Sequence, residues 1–191
     1  MGLDHYACKR AYLSNDKLIG FLEEKAKFVG VAEFTDHVLR YTTIKSMDTD
    51  KNLLWVRHIH KNAWSSMKVG KFYPFHKSDI QFESGFQFFK MPIGSPSIEC
   101  SSLKEAKVAF EDKTDEWFSF KRTTREYLFD DISVYIEDID YIGVTVEFVC
   151  RTESQSLKQN MAKVDRFMKD YDVKKIISHQ AATLVRKARR I

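Results

Sequence analysis

Between Phe118 and Glu147 the chain reads FSFKRTTREYLFDDISVYIEDIDYIGVTVE, and this run constrains the fold more than any other part. A strand carrying Lys121, Arg122, Arg125 and Tyr127 leads to a turn at Asp130-Asp131. The chain returns as Ile132-Ser133-Val134-Tyr135-Ile136 and passes an acidic corner, Glu137-Asp138-Ile139-Asp140. After Gly143 it closes on an apolar strand, Val144 to Cys150, with one carboxylate, Glu147. In adjacent antiparallel strands, side chains of one face recur every second residue. Cations and acids from neighbouring strands therefore converge on one surface. Such a surface suits a polyphosphate: the cations neutralise it, and hard carboxylate oxygens hold a divalent metal.

The spacing resembles that of the CYTH family, the triphosphate tunnel enzymes. Their late strands read roughly K-x-R-x-x-Y, then v-x-i-x-l-D-x-v-x-x-l-G-x-f-v-E-x-E. Here Arg122 or Lys121 stands near the basic pair and Glu137 or Asp138 near the corner Asp. Gly143 stands at the family's Gly, Glu147 at the first Glu, and Val149 replaces the second. Elsewhere, Leu53 to Arg57 (LLWVR) is similar to the family's L-R-i-R strand, and Gln87 to Pro92 (QFFKMP) to its t-l-K-g-p strand. SHQAATLV, near the end, is similar to the closing s-Y-x-e-l-l segment, without its Tyr.

The resemblance implies an α+β fold, an antiparallel β-barrel or tunnel with flanking helices. It also implies a cationic interior that grips phosphates, with Lys9, Arg57, Lys90, Lys121, Arg122 and Arg125 as the matching phosphate-binding positions and Arg40 as a weaker one. Metal ligands carried over are Glu147, with Glu137 or Asp138 and then Glu83 or Glu99 behind it, and Glu147 is also the candidate catalytic residue. Mg²⁺ or Mn²⁺ is the implied cofactor. The departure lies in the acids. The family's first strand carries E-x-E-x-K; the matching positions read His5-x-Ala7-x-Lys9, so both acids are missing. A tunnel that keeps its cations and loses its acids should still attract polyphosphate, while generating a nucleophile poorly. The expected function is binding of a nucleotide or other polyphosphate with weakened or lost catalysis. The alternatives are a metal-dependent triphosphatase or class IV-type nucleotidyl cyclase, and an RNA-binding module.

The rest of the chain fits one domain, 1–191, with a basic helical segment at 174–191. A chain of 191 residues suits a single core, and 15 Phe favour a sheet-rich interior. The predicted order is a strand (4–13), a helix from Asp16 ending at Gly30, and a strand from Ala32 to Ile44. Next come a turn at 47–52, a strand at Leu53 to His60, two strands within Gly70 to Met91, and a loop at Pro92, Gly94 and Pro96. A helix follows at Glu99 to Phe110, then the three strands above and a helix at Ser154 to Tyr171. A formal charge of +4 is compatible with an anionic ligand but far from a nucleic-acid coat. Cys8, Cys100 and Cys150 have no CxxC or zinc spacing and read as reduced thiols of a cytoplasmic protein. No apolar run reaches membrane length and MGLDHY is no signal peptide, so no membrane partner is expected.

Two other constellations read more simply as structure. His58-x-His60 on one strand face, with His37 or His76 as a third ligand, suggests zinc or a general base, but lacks acids or cysteines at fixed spacing. The aromatic-basic runs at 71–75 and 86–90 suggest stacking of single-stranded bases, yet in so aromatic a sheet they read as core. No glycine-rich phosphate loop is present.

Overall fold

A computed structural model of the protein describes residues 3–42, 53–62, 67–92, 98–110, 114–152, 155–174, 176–177 and 180–191. The predicted turn at 47–52 and the glycine and second proline of the 92–96 loop lie outside them. The described chain forms β1 (Leu3–Tyr12), α1 (Lys17–Lys25), β2 (Lys27–Tyr41), β3 (Leu53–Asn62), β4 (Phe72–Glu83) and β5 (Phe86–Pro92). It continues as α2 (Leu103–Val108), β6 (Thr114–Phe129), β7 (Ile132–Ile139), β8 (Gly143–Arg151), α3 (Leu157–Asp170), β9 (Ile176–Ile177) and α4 (Ala181–Arg189).

The strands run in the order β5-β4-β3-β2-β6-β7-β8-β1, and β5 pairs again with β1, so the sheet closes on itself. The result is a closed eight-stranded antiparallel barrel with helices around it. Closure removes the exposed edges that an open sheet of this length would carry. At the β4–β5 hairpin, Ser84 and Gly85 both take positive φ, as a two-residue turn requires. Gly85 serves a second purpose: a Cβ there would come within 3.1 Å of the Lys9 side chain.

Burial alternates along the strands and separates an outer shell from an interior. On the outer face of β1, β7 and β8, Ala7, Ala11, Ile132, Val134, Ile136, Val146, Phe148 and Cys150 pack beneath α1 and α3. Helix α3 meets this face with Val164, Phe167 and Met168, at helical spacing. Leu54 and Val56 on β3 are covered by α2, whose N-cap Ser102 accepts a bond from the Glu105 amide.

Two helix boundaries differ from the sequence expectation. Helix α1 ends at Lys25, because Ala26 is already extended and Phe28, Val29 and Val31 suit a strand. Helix α2 begins at Leu103, since Cys100 bridges to Phe72 and Ser102 caps the start. The basic side chains Lys187, Arg189 and Arg190 at the end of α4 are exposed, but the first half of that helix is not. Ala181, Ala182, Thr183, Leu184 and Val185 of α4 are all buried. Ala181, Ala182 and Val185 pack among Phe34, Trp55, Phe75, Phe118 and Phe120, which are inward residues of the barrel, so this helix fills one end of the interior.

Candidate functional site

A strand face that points into a closed barrel should be apolar, so each ionisable residue in that register needs a partner. On β2 the buried register reads Ala32-x-Phe34-x-Asp36-x-Val38, and on β4 it reads Tyr73-x-Phe75-x-Lys77. Together with Arg57, Arg122, Glu137, Glu147 and Arg10, these polar intrusions meet inside the barrel.

They form an alternating acid–base chain. Glu147 Oε2 lies 2.7 Å from Arg10 Nη2, and Arg10 Nη1 donates to Glu137 Oε2. Glu137 Oε1 accepts from Arg122 Nη1 at 2.8 Å, and Arg122 Nη2 lies 2.9 Å from Asp36 Oδ2. Asp36 is then gripped by Arg57 through two bonds, at 2.8 and 3.1 Å. The chain crosses six of the eight barrel strands, in the order β8, β1, β7, β6, β2, β3. Arg10, Asp36 and Glu137 are almost fully buried. Thr145 and Thr124 add hydroxyl contacts to Arg10 and Glu137, at 3.0 and 3.4 Å.

The electrostatics follow the pairing. Burial opposes ionisation of Glu147, but Arg10, Lys77 and Arg122 outweigh it and hold the carboxyl down at about 2. Burial likewise opposes the charge on Asp36, yet Arg57 and Arg122 keep it below the usual carboxylate range. Arg10 is held above its ordinary value: desolvation works against it, and Glu137 and Glu147 prevail.

Lys77 differs. Its Nζ donates to Gln180 Oε1 at 2.9 Å and sits 3.6 Å from the centre of the Phe89 ring. No carboxylate bonds it among the described residues, and burial lowers its pKa. Gln180, the N-cap of α4, also donates to Gln87 Oε1, so the helix end closes over this corner. Several buried donors near the chain have no hydrogen-bond partner among the described residues: Arg10 Nε, Arg122 Nε and Gln87 Nε2. At the next level Tyr135 donates to Glu126 at 3.2 Å, and burial raises the pKa of both groups.

The sequence-selected residues divide between the two sides of the wall. Arg57, Arg122, Glu137 and Glu147 converge inside. Lys9 does not: strand alternation places it outside, where it lies 2.5 Å from Asp165 of α3 and over the Phe86 ring. The inward residues of β1 are Cys8 and Arg10, so the first-strand comparison is shifted by one residue and Arg10 holds the interior position. Lys90 alternates with the inward Gln87 and Phe89 and so shares the outer register of β5. Arg125 lies 3.9 Å from Glu23 of α1 on the outside. Lys121 and Asp138 line a crevice of about 350 Å³ with Glu33, His60, Thr123 and Asp140, and the interior residues Phe34 and Arg122 line it too. Of the paired choices, the interior takes Arg122 over Lys121 and Glu137 over Asp138. Glu99 bonds Lys68 and Lys71 on the surface, Glu83 is exposed, and Arg40 lies over Trp117.

The sequence reading missed Arg10, Asp36, Lys77, Gln87 and Gln180. A lone charge in the apolar register of a strand was the available signal for Asp36 and Lys77.

The interior acids are already engaged by arginine. Glu137 and Glu147 are both bonded to Arg10, and no group of three or more His, Cys, Asp or Glu residues among the described ones could hold an ion. His58 stacks on Phe72 and His60 bonds Thr35 on the outer wall. Cys8 and Cys150 are buried, and burial raises both thiol pKa values, that of Cys150 to about 11.

No family model matches the chain, and no curated protein matches it. Solved structures do. A Pyrococcus horikoshii protein, 12% identical, aligns with a TM-score of 0.72 over 95% of this chain and 98% of its own. A candidate adenylate cyclase from Vibrio parahaemolyticus, 11% identical, gives 0.63 over 89% of this chain and 90% of its own. A candidate adenylyl cyclase from Hippeastrum, described as having a dominant triphosphatase activity, gives 0.59 at 10% identity, over 88% of each chain. The fold is CYTH-like. At such identities the likeness concerns the barrel and its helices, not the chemistry inside. No described helix is long and apolar enough to cross a membrane.

Proposed function

We propose that the barrel interior binds the phosphate chain of a nucleotide or other polyphosphate, and that catalysis is weakened or lost. The observation that carries this reading is the excess of donors inside. Three arginines face three carboxylates in the chain, Lys77 adds a fourth cation held by an amide and a phenylalanine ring, and Arg10, Arg122 and Gln87 keep N–H groups without partners among the described residues. Buried donors without acceptors are costly, and phosphoryl oxygens supply acceptors in number. The loss of catalysis rests on the acids: Glu137 and Glu147 neutralise arginine, which leaves them poor metal ligands. Of the residues selected from sequence, Arg57 and Arg122 form the clamp in this reading, joined by Arg10 and Lys77.

The test is a panel of nucleoside triphosphates, tripolyphosphate and 5′-triphosphate RNA, read by heat protection and by phosphate and pyrophosphate release, with and without Mg²⁺ or Mn²⁺. Protection without metal and without release is the expected result. Absence of protection by every ligand sinks the proposal. Metal-dependent release would replace it with a triphosphatase or cyclase, and Glu147→Gln would then abolish turnover. Arg122→Ala should weaken the protecting ligand by about 1.5–3 kcal/mol, the range of a charge-assisted bond. Unchanged affinity removes Arg122 from the clamp.

A further inference from the structure

A second cationic surface lies outside the barrel, and the interior ligand does not account for it. Arg40 on β2, with Arg186 and Arg189 on α4, has no carboxylate partner among the described residues. Instead Arg40 and Arg186 lie over the Trp117 ring, 6.0 and 5.5 Å from its centre. Arg189 lies 6.0 Å from the centre of Phe118 and 5.3 Å from that of Tyr141, and donates to the Ser119 carbonyl at 3.2 Å. Tyr141, in the β7–β8 turn, is 65% exposed. Lys187 and Arg190 extend the charge along the exposed end of the helix. Asp115, the cross-strand neighbour of Arg40, is largely exposed and lies 3.9 Å from Lys107, Glu116 bonds His37, and Asp140 accepts from the Lys121 amide.

Cations in a last helical turn complement the helix dipole, and that alone would explain Arg186 and Arg189. It does not explain Arg40, which comes from a different strand to the same aromatic ring. A guanidinium held near an aromatic ring rather than by a carboxylate keeps N–H groups available for phosphate oxygens. An exposed tyrosine beside it offers a stacking face to an unpaired base.

We propose that this face, Arg40, Trp117, Tyr141, Arg186 and Arg189, binds single-stranded nucleic acid. The arginines take backbone phosphates and Tyr141 takes one base. A duplex hides its base faces, and an acidic peptide has none to stack, so single strands fit both halves of the surface.

The test is fluorescence anisotropy at low salt with labelled oligomers of about 12 nucleotides. Single-stranded RNA, single-stranded DNA, duplex RNA and polyglutamate are compared. One or both single strands should bind at least tenfold tighter than duplex and polyglutamate, and the preference between RNA and DNA names the natural source. Tyr141→Ala should weaken binding about threefold or more. Arg40→Ala with Arg189→Ala should weaken it further and reduce the slope of log affinity against log salt by about 1 to 2. Arg40→Ala with Arg189→Ala should leave heat protection by tripolyphosphate unchanged, so the two proposals fail separately. No single-strand binding, equal binding of polyglutamate or duplex, or an unaffected Tyr141→Ala variant each overturns the proposal.

Discussion

Inside the barrel, the chain from Glu147 to Arg57 and the corner at Lys77 treat a buried cation in opposite ways. In the chain, every arginine touches at least one carboxylate, and Arg10, Glu137, Arg122 and Asp36 each touch two partners of opposite sign. At the corner, an ammonium meets a glutamine oxygen and a phenylalanine ring. The chain is a closed electrostatic structure whose members hold one another in place. The corner is where an incoming anion has least to displace, because a neutral amide competes weakly with a phosphoryl oxygen for an ammonium. One interior therefore contains a scaffold and a receptive point.

The sharpest way to break this contrast is at Arg10. Arg10→Ala leaves Glu137 and Glu147 in a buried space with one cation fewer, and should cost about 3–5 kcal/mol in urea unfolding, the range for removing one partner of a buried pair. If the cost comes from uncompensated charge, adding Glu147→Gln should recover part of it. A double variant less stable than Arg10→Ala alone would mean that Arg10 acts through packing.

Lys77→Met should show the converse. It removes an ammonium that no carboxylate bonds among the described residues but that helps to keep Glu147 ionised, so it should cost less stability than Arg10→Ala. The protecting polyphosphate should bind at least about tenfold more weakly, which corresponds to roughly 1.4 kcal/mol. A large loss of stability with unchanged affinity would make Lys77 part of the scaffold.

Acid titration sharpens the scaffold side. The folded pKa of Glu147 lies at about 2, below the ordinary 4.5, so its contribution is fully present above about pH 4.5 and is lost as pH falls toward 2. Stability measured across that window should fall less steeply in Glu147→Gln than in the parent. An equal slope would show that Glu147 is not held as a charged partner.

Much of this fold was open to reading in the sequence, and the site only by halves. The run from Phe118 to Glu147 became β6, β7 and most of β8, because turn residues and alternation mark those strands locally. Glu147 and Val149 both face inward, as the spacing of the closing strand implied. Register on β1 failed for a physical reason. Lys9 and Arg10 are adjacent cations, and composition cannot say which faces the interior when small residues, Ala7 and Cys8, precede both. The outer shell of α1 and α3 settles it by taking Ala7 and Ala11. Lys90 and Lys77 pose the same difficulty across the β4–β5 hairpin, where a register irregularity between Ser78 and Gln81 breaks simple counting. The closure by α4 depends on a contact 103 residues apart in sequence, from Gln180 to Lys77, which no local pattern announces.

Lys9 supplies the smallest effect and the cleanest control. It is as buried as Lys77, yet it lies on the outer face with Asp165 as its partner, and that carboxylate is 56% exposed. A half-exposed ion pair is worth about 1 kcal/mol or less, so Lys9→Met should lower stability only slightly. Its Nζ also reaches the Ser84 carbonyl at 3.4 Å, a contact at the hairpin rather than in the interior. Polyphosphate affinity should therefore match the parent within error, while Lys77→Met loses it. If both lysine variants weaken the ligand equally, the face on which a strand lysine points does not decide its role. The separation between scaffold and receptive corner would then fall with it.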